Sequence, residues 1–211
     1  MQIKTFTFNP IQENTYLLYD DTKECIIIDA GCVFPEEEVA LVDFIEQNNL
    51  TLKRVLNTHS HFDHILGNAF LANKYGVLPE GHEADESFIS SMVDHAKSFG
   101  FRFEVIPQKM GSHLHEGDVV RFGNTELLTI YVPGHSPGSL CFYCKADGVL
   151  FAGDVLFEES VGRADLPGGN FGTLIDGITK KLLILPDQTV VYSGHGNTTT
   201  IGHEKQYNPY L

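Results

Sequence analysis

The sequence predicts an α/β (α+β) protein in which two β-sheets pack face to face with helices on their outer surfaces. Runs rich in β-branched and aromatic residues, broken by Asn-Pro, Asp-Asp and glycine, recur in both halves of the chain. Segments with helical apolar spacing follow those runs. In each half strands come first and helices after, the order of a layered protein with helices outside.

Taken in order, KTFTF (4–8), TYLLY (15–19) and ECIIID (24–29) read as strands. PEEEVALVDFIEQNN (35–49) reads as a helix, opened by proline and acids, with Val39, Val42, Phe44 and Ile45 supplying its apolar face. KRVLNT (53–58) is a strand that runs directly into THSHFDH, and a helical pattern then extends from Asp63 to Gly76. GHEADESFISSMVDHAKSFG (81–100) is a further helix, with acids early, a lysine late and glycine after, as the helix dipole favours. Strands near 117–123, 125–132, 139–145 and 148–153 follow, then a helix over about 171–184 and a strand at TVVYS (189–193).

With 211 residues, 42% of them hydrophobic, the chain can bury a substantial core. It carries no linker, low-complexity tract or solenoid repeat, so a single domain over 1–211 is expected. No stretch approaches the roughly 20 apolar residues of a membrane span, and the start MQIKTFTFNP lacks a basic region before an apolar run. A cytoplasmic protein with no membrane partner is expected. Fourteen basic against 28 acidic residues give a formal charge of −14, a field that repels nucleic acid. Bound divalent cations would offset part of that charge, and an anionic substrate would need a local basic group. Cys25, Cys32, Cys141 and Cys144 read as free core thiols, because the CFYC spacing on a strand points its two sulfurs to opposite faces.

THSHFDH packs His59, His61, Asp63 and His64 into seven residues. After an extended segment a period of two lets His59 and His61 face one side, while Asp63 and His64 fall where the chain turns into a helix. One tetrahedral site takes three or four ligands in all, so this motif plus any further histidine points to two metals. Further donors are His135 in VPGHSPGS, Asp154 in LFAGDVLF and His195 in VVYSGHG, each just past an apolar run and beside small residues. A strand end thus delivers a polar residue while glycines let the backbone crowd the site. Spacing leaves open which donor meets which metal. His82, His95, His113, His115 and His203 lack this context and read as non-ligands; Tyr16 and Phe157 read as core aromatics.

THSHFDH followed in order by PGHSPGS, FAGDVLF and SGHG resembles the metallo-β-lactamase fold superfamily over nearly the whole chain. The resemblance implies a four-layer αβ/βα sandwich with a binuclear site at one edge. His59, His61 and His135 would share one metal, Asp63, His64 and His195 the other, and Asp154 would bridge. Asp29 in IIDAG matches an early aspartate that orients ligands. Two divalent ions are implied, zinc foremost, with iron or manganese also suited to these donors.

SVGRADLPGGN (160–170) and the ending TTIGHEKQYNPYL are similar to the short glyoxalase II-like hydrolases. That likeness implies hydrolysis of a small thioester such as S-lactoylglutathione by a metal-bridging hydroxide, with Asp63 both ligating metal and holding the hydroxide. Antibiotic-degrading lactamases usually carry cysteine or serine near the position of Asp154, and they are secreted. The alternative is a mono-iron persulfide dioxygenase, resembled through GRAD (162–165), with His59, His135 and Asp154 as its facial triad. Full-length glyoxalase II adds a C-terminal helical domain that receives glutathione, which is not expected here. Arg163 is therefore the candidate for an anionic substrate, and Lys180 and Lys181 read as a solvated helix face. Members of the family often pair as homodimers, but no self-complementary surface is legible in the sequence, so the oligomeric state is left open.

Overall fold

The computed structural model describes residues 1–211. Its first half runs β1 (Gln2–Phe8), β2 (Glu13–Tyr19), β3 (Glu24–Ile28), α1 (Pro35–Gln47), β4 (Thr51–Leu56), α2 (Phe62–Ile65), α3 (Asn68–Tyr75), β5 (Pro79–Gly81), α4 (Glu86–Ser98) and β6 (Ser112–His113). The second half runs β7 (Val119–Phe122), β8 (Thr125–Tyr131), β9 (Leu140–Cys144), β10 (Val149–Gly153), the hairpin β11 (Leu156–Phe157) and β12 (Ser160–Val161), α5 (Phe171–Gly177), β13 (Val190–Ser193), β14 (Thr199–Thr200) and α6 (Ile201–Tyr207). No helix is long and apolar enough to cross a membrane.

Two six-stranded sheets form, in the orders β1-β2-β3-β4-β5-β6 and β14-β13-β10-β9-β8-β7. Strand alternation sorts their side chains into layers. Leu18, Ile26, Ile28 and Leu56 of the first sheet meet Phe122, Leu140, Phe142 and Phe151 of the second in the central core. On the outer face of the first sheet Leu17, Cys25 and Ile27 pack against Leu41 and Ile45 of α1 and Leu71 of α3. On the outer face of the second, Ile130, Cys141 and Leu150 pack against Leu174, Ile178, Leu182 and Ile201. Burial on both faces is why CIII (25–28) and VLFAG are unbroken apolar runs rather than alternating ones.

The cysteines behave as core residues. Cys144 points into the central layer and Cys141 into the outer one, so CFYC serves two cores. All four thiols are free and buried, and burial pushes the Cys25 thiol up to about 12, far from a reactive thiolate.

Two predicted helices differ from the observed ones. The pattern over 63–76 breaks into α2 and α3 around Gly67, where a Cβ would collide with the Cys32 sulfur. The segment expected to be helical from 81 first adds a parallel strand: Asn57 donates to the Glu80 carbonyl at 2.7 Å, and α4 begins only at Glu86. The short strands β6, β11, β12 and β14 have no apolar run to betray them, and α6 lies in a segment the elements read from sequence do not reach.

Strand direction decides where the polar strand ends gather. β3, β4 and β5 run parallel to one another. β10 is parallel to β13, and β8 and β10 are both antiparallel to β9, so β8, β10 and β13 also share a direction. The first sheet therefore sends the carboxyl ends of β1, β3, β4, β5 and β6 the same way, and the second those of β8, β10 and β13.

Phe142 is fully buried between the sheets. Phe142→Ala is expected to cost about 3–5 kcal/mol, read as a lower urea midpoint with an unchanged slope. Cys141→Ser is expected to cost about 1–3 kcal/mol through a buried hydroxyl while leaving the bound-metal count unchanged by elemental analysis.

Candidate metal centre

The predicted donors all follow strand ends at one edge of the sandwich. Asp29 follows β3; His59, His61, Asp63 and His64 follow β4; His135 follows β8; Asp154 follows β10; and His195 follows β13. His59, His61 and His135 bring one ring nitrogen each within 4.8 Å of one another, and so do the ligand atoms of Asp63, His64 and His195. The glycines beside them permit this crowding. A Cβ on Gly194 would collide with Asp154 Oδ1, and one on Gly162 would collide with the Asp154 carbonyl oxygen.

Hydrogen bonds fix which way the rings face. His64 Nδ1 donates to Asp29 Oδ2 at 3.0 Å. Thr58 donates its hydroxyl to the same oxygen at 2.6 Å, so its own oxygen accepts from His59 Nδ1 at 3.1 Å. His135 Nδ1 donates to the Arg163 carbonyl at 2.8 Å and His195 Nδ1 to the Gln12 carbonyl at 3.2 Å. With each Nδ1 proton committed, each Nε2 presents a lone pair. Those lone pairs meet acceptors. His59 Nε2 lies 3.2 Å from His135 Nε2, and His195 Nε2 lies 3.2 Å from Asp63 Oδ2. His64 Nε2 lies 3.4 Å from Asp154 Oδ1, and both of these buried atoms lack any hydrogen bond.

Such gaps require positive charge. Burial, reinforced by the neighbouring histidines, holds His59 well below the usual imidazole range and His61 down at about 3, so protons do not fill their side of the centre. Burial also opposes charge on His64, yet Asp154, Asp63 and Asp29 outweigh it and push that ring upward, marking a strongly negative field. Two donors about 2.1 Å from one tetrahedral ion sit about 3.4 Å apart, which the nitrogen and oxygen separations here match. The residues fit metal ions.

Over the donors opens a cavity of about 350 Å³ lined by His61, Asp63, His135, Asp154 and His195 together with Ile11, Phe62, Phe88, His95, Ser98, Phe99, Arg163, Leu166 and Pro167. A larger hollow of about 890 Å³ beside Asp20, Thr125 and Lys145 contains none of the donors and has no such chemistry.

A family model described as the metallo-beta-lactamase superfamily matches residues 8–195. The chain belongs to that superfamily. The hydroxyacylglutathione hydrolase GloC of Haemophilus influenzae is 36% identical over 214 residues, covering 100% of this chain and 98% of the relative. The solved BLEG-1 B3 metallo-beta-lactamase is 34% identical with a TM-score of 0.89, over 100% of this chain and 99% of that one. TTHA1623, solved in a di-iron-bound form, is 34% identical with a TM-score of 0.86, over 99% of this chain and 100% of that one. This superfamily member is accordingly a metallo-hydrolase with the αβ/βα sandwich that its motifs implied.

Sequence reasoning missed two buried acids of this metallo-hydrolase. Asp85, fully buried, accepts from Ser60 N at 3.0 Å, from the Ser136 hydroxyl at 2.7 Å and from Gly138 N at 2.6 Å. It thereby clamps the His59–His61 loop to the His135 loop. Its only signal was an acid at a helix start, which the dipole already explained. Glu13, also fully buried, accepts from Thr15 Oγ1 at 2.8 Å, and Thr15 in turn accepts from Gly31 N at 3.0 Å. Burial, with nearby Asp29 and Asp63 adding to it against His64, pushes Glu13 well above the usual carboxylate range.

Other predicted residues resolve plainly. Arg163 is exposed and pairs in bidentate fashion with Asp165 at 2.8 and 2.9 Å, while its carbonyl holds His135. Lys180 pairs with Asp176 and Lys181 with Glu116 on the surface. His113, His115 and His203 pair with surface glutamates, and His82 stacks on Tyr131 at 4.5 Å. Tyr16 is a core aromatic whose hydroxyl reaches the Ser193 carbonyl at 2.5 Å.

Asp85→Asn keeps the size of the side chain but turns an amide N–H toward other donors. It is expected to cost about 1–3 kcal/mol in urea unfolding and to lower the bound-metal count measured after dialysis.

Proposed function

We propose that the chain is a cytoplasmic thioester hydrolase that works with two divalent metal ions, formed as one domain over residues 1–211. His59, His61 and His135 would hold one ion, Asp63, His64 and His195 the other, and Asp154 would serve both. The observation that carries the reading is the set of four imidazoles whose Nδ1 atoms are tied to acceptors and whose Nε2 lone pairs face other acceptors. The donors are nitrogen and oxygen only, which suits zinc first and also iron or manganese.

When bound, such ions supply Lewis acidity at a carbonyl oxygen and lower the pKa of a water toward about 7. The chain's own groups then order the chemistry. Asp63, at the cavity floor with Oδ2 3.2 Å from His195 Nε2, is placed to accept a proton from the attacking water and so aim its lone pair. Asp29 keeps His64 from rotating, and the Arg163 carbonyl does the same for His135. A thiolate leaves with little protonation, so the reaction needs no general acid for the leaving group.

S-lactoylglutathione is the reference substrate, by analogy with the Haemophilus influenzae relative. A persulfide dioxygenase would need only His59, His135 and Asp154, and because it too can carry Asp63, His64 and His195 those residues do not separate the two readings; the 36% identity to a relative named as a hydrolase favours the hydrolase. The test is elemental analysis of the purified protein with three assays: loss of thioester absorbance, oxygen uptake with glutathione persulfide, and opening of a chromogenic β-lactam. About two metals per chain with thioester loss is expected, and one iron with oxygen uptake overturns the reading. His61→Ala and Asp154→Asn are each expected to release metal and lower turnover by at least about 100-fold. Wild-type turnover in either variant would refute the assignment of donors.

A further inference from the structure

We propose that the cavity over the metal centre is a hydrocarbon subsite, selecting thioesters that carry an apolar, aryl-sized substituent over those built only of polar groups. The inference rests on the hydrolase reading and narrows its substrate class. Three separate segments supply the walls: Ile11 between β1 and β2, Phe62, Phe88 and Phe99 on and beside α2 and α4, and Leu166 from the loop after β12. The apolar wall begins at the reacting centre itself, because the Phe88 ring meets His61 edge-on with centroids 5.2 Å apart. It continues outward through Phe62, which packs on Phe99 at 5.4 Å. Phe99 leaves 56% of its surface in water at the mouth, an exposure that a bound hydrocarbon would relieve.

Charge argues in the same direction. Glutathione brings two carboxylates, and a chain of net charge −14 must offer local cations to receive them. Arg163 is the one lysine or arginine on the lining, and its guanidinium is already matched by both oxygens of Asp165. The lining therefore complements a neutral hydrocarbon better than a carrier bearing two carboxylates.

The subsite is tested first without catalysis, by calorimetric titration of the metal-loaded protein with the S-benzyl and S-methyl thioethers of N-acetylcysteamine. At least tenfold tighter binding of the benzyl compound is expected, with the ratio falling to within twofold in Phe99→Ser and Leu166→Asn. Equal affinities in the native protein, or a ratio unchanged in both variants, overturns the proposal. Two kinetic comparisons, phenylacetyl against lactoyl and S-benzyl against S-methyl, then show whether the ring enters from the acyl or the sulfur side. A binding preference without any thioester hydrolysis would refute the hydrolase reading while leaving the subsite standing. Hydrolysis with no preference for the ring in either comparison would refute the subsite alone.

Discussion

Between the ends of β3 and β4 the Asp29 carboxylate accepts three hydrogen bonds, from Thr58 N at 2.7 Å, the Thr58 hydroxyl at 2.6 Å and His64 Nδ1 at 3.0 Å. Of the two imidazoles it steers, His64 directly and His59 through Thr58, one also groups with Asp63 and His195 and the other with His61 and His135. One carboxylate thus sets the relative orientation of both halves of the centre. Asp29 itself holds a left-handed φ of 53°, a conformation costing about 1 kcal/mol or more for a residue with a side chain. Charge-assisted hydrogen bonds of about 1.5–3 kcal/mol each outweigh that strain.

Holding two sheets in register at this edge falls to ties that cross between them. Asn14 at the start of β2 donates to the Ser193 and Gly196 carbonyls at 3.2 and 3.0 Å, bracketing His195. Asn9 reaches the Gly31 and Asp63 carbonyls at 3.0 and 3.1 Å, and Asp85 links the loops of His59 and His135. Loops normally move more than the elements they join. Here nearly every loop that carries a donor is sewn to a neighbour by a buried side chain, which is how a centre built on strand ends keeps positions of metal-ligand accuracy.

The residues that converge at the candidate centre were legible because their signal is local. THSHFDH shows its chemistry in seven residues, and His135, Asp154 and His195 each sit where an apolar run stops beside glycine. The layers were legible for a similar reason, since the doubly buried strands are short and uniformly apolar. Asp85 was not legible: its partners Ser136 and Gly138 lie 51 and 53 positions away, and nothing near it distinguishes a clamp from a helix-start acid. Glu13 was hidden likewise, because its burial depends on Gly31 offering no side chain where the carboxylate lies. At Gly67 the backbone N–H leaves the helical ladder for the Ala30 carbonyl at 2.7 Å, a contact invisible to helical periodicity.

Neutral imidazole lone pairs and carboxylates set 3.2–3.7 Å apart repel one another in a medium of low dielectric, so the arrangement is unfavourable until protons or metal cations enter it. Small zinc domains depend on metal to fold at all because they have no other core. In this molecule three apolar clusters of 14, 13 and 12 buried residues lie away from the centre and are assembled without any donor among them. The sandwich is thus stable enough to hold the repelling groups in place. Cation binding then draws its affinity from relieving a repulsion that the fold maintains, instead of spending it on building the fold. That division of labour explains why the donors can be so densely packed, while Asp85 ties two loops together and Asp29 fixes the groups of Thr58 and His64 that face it.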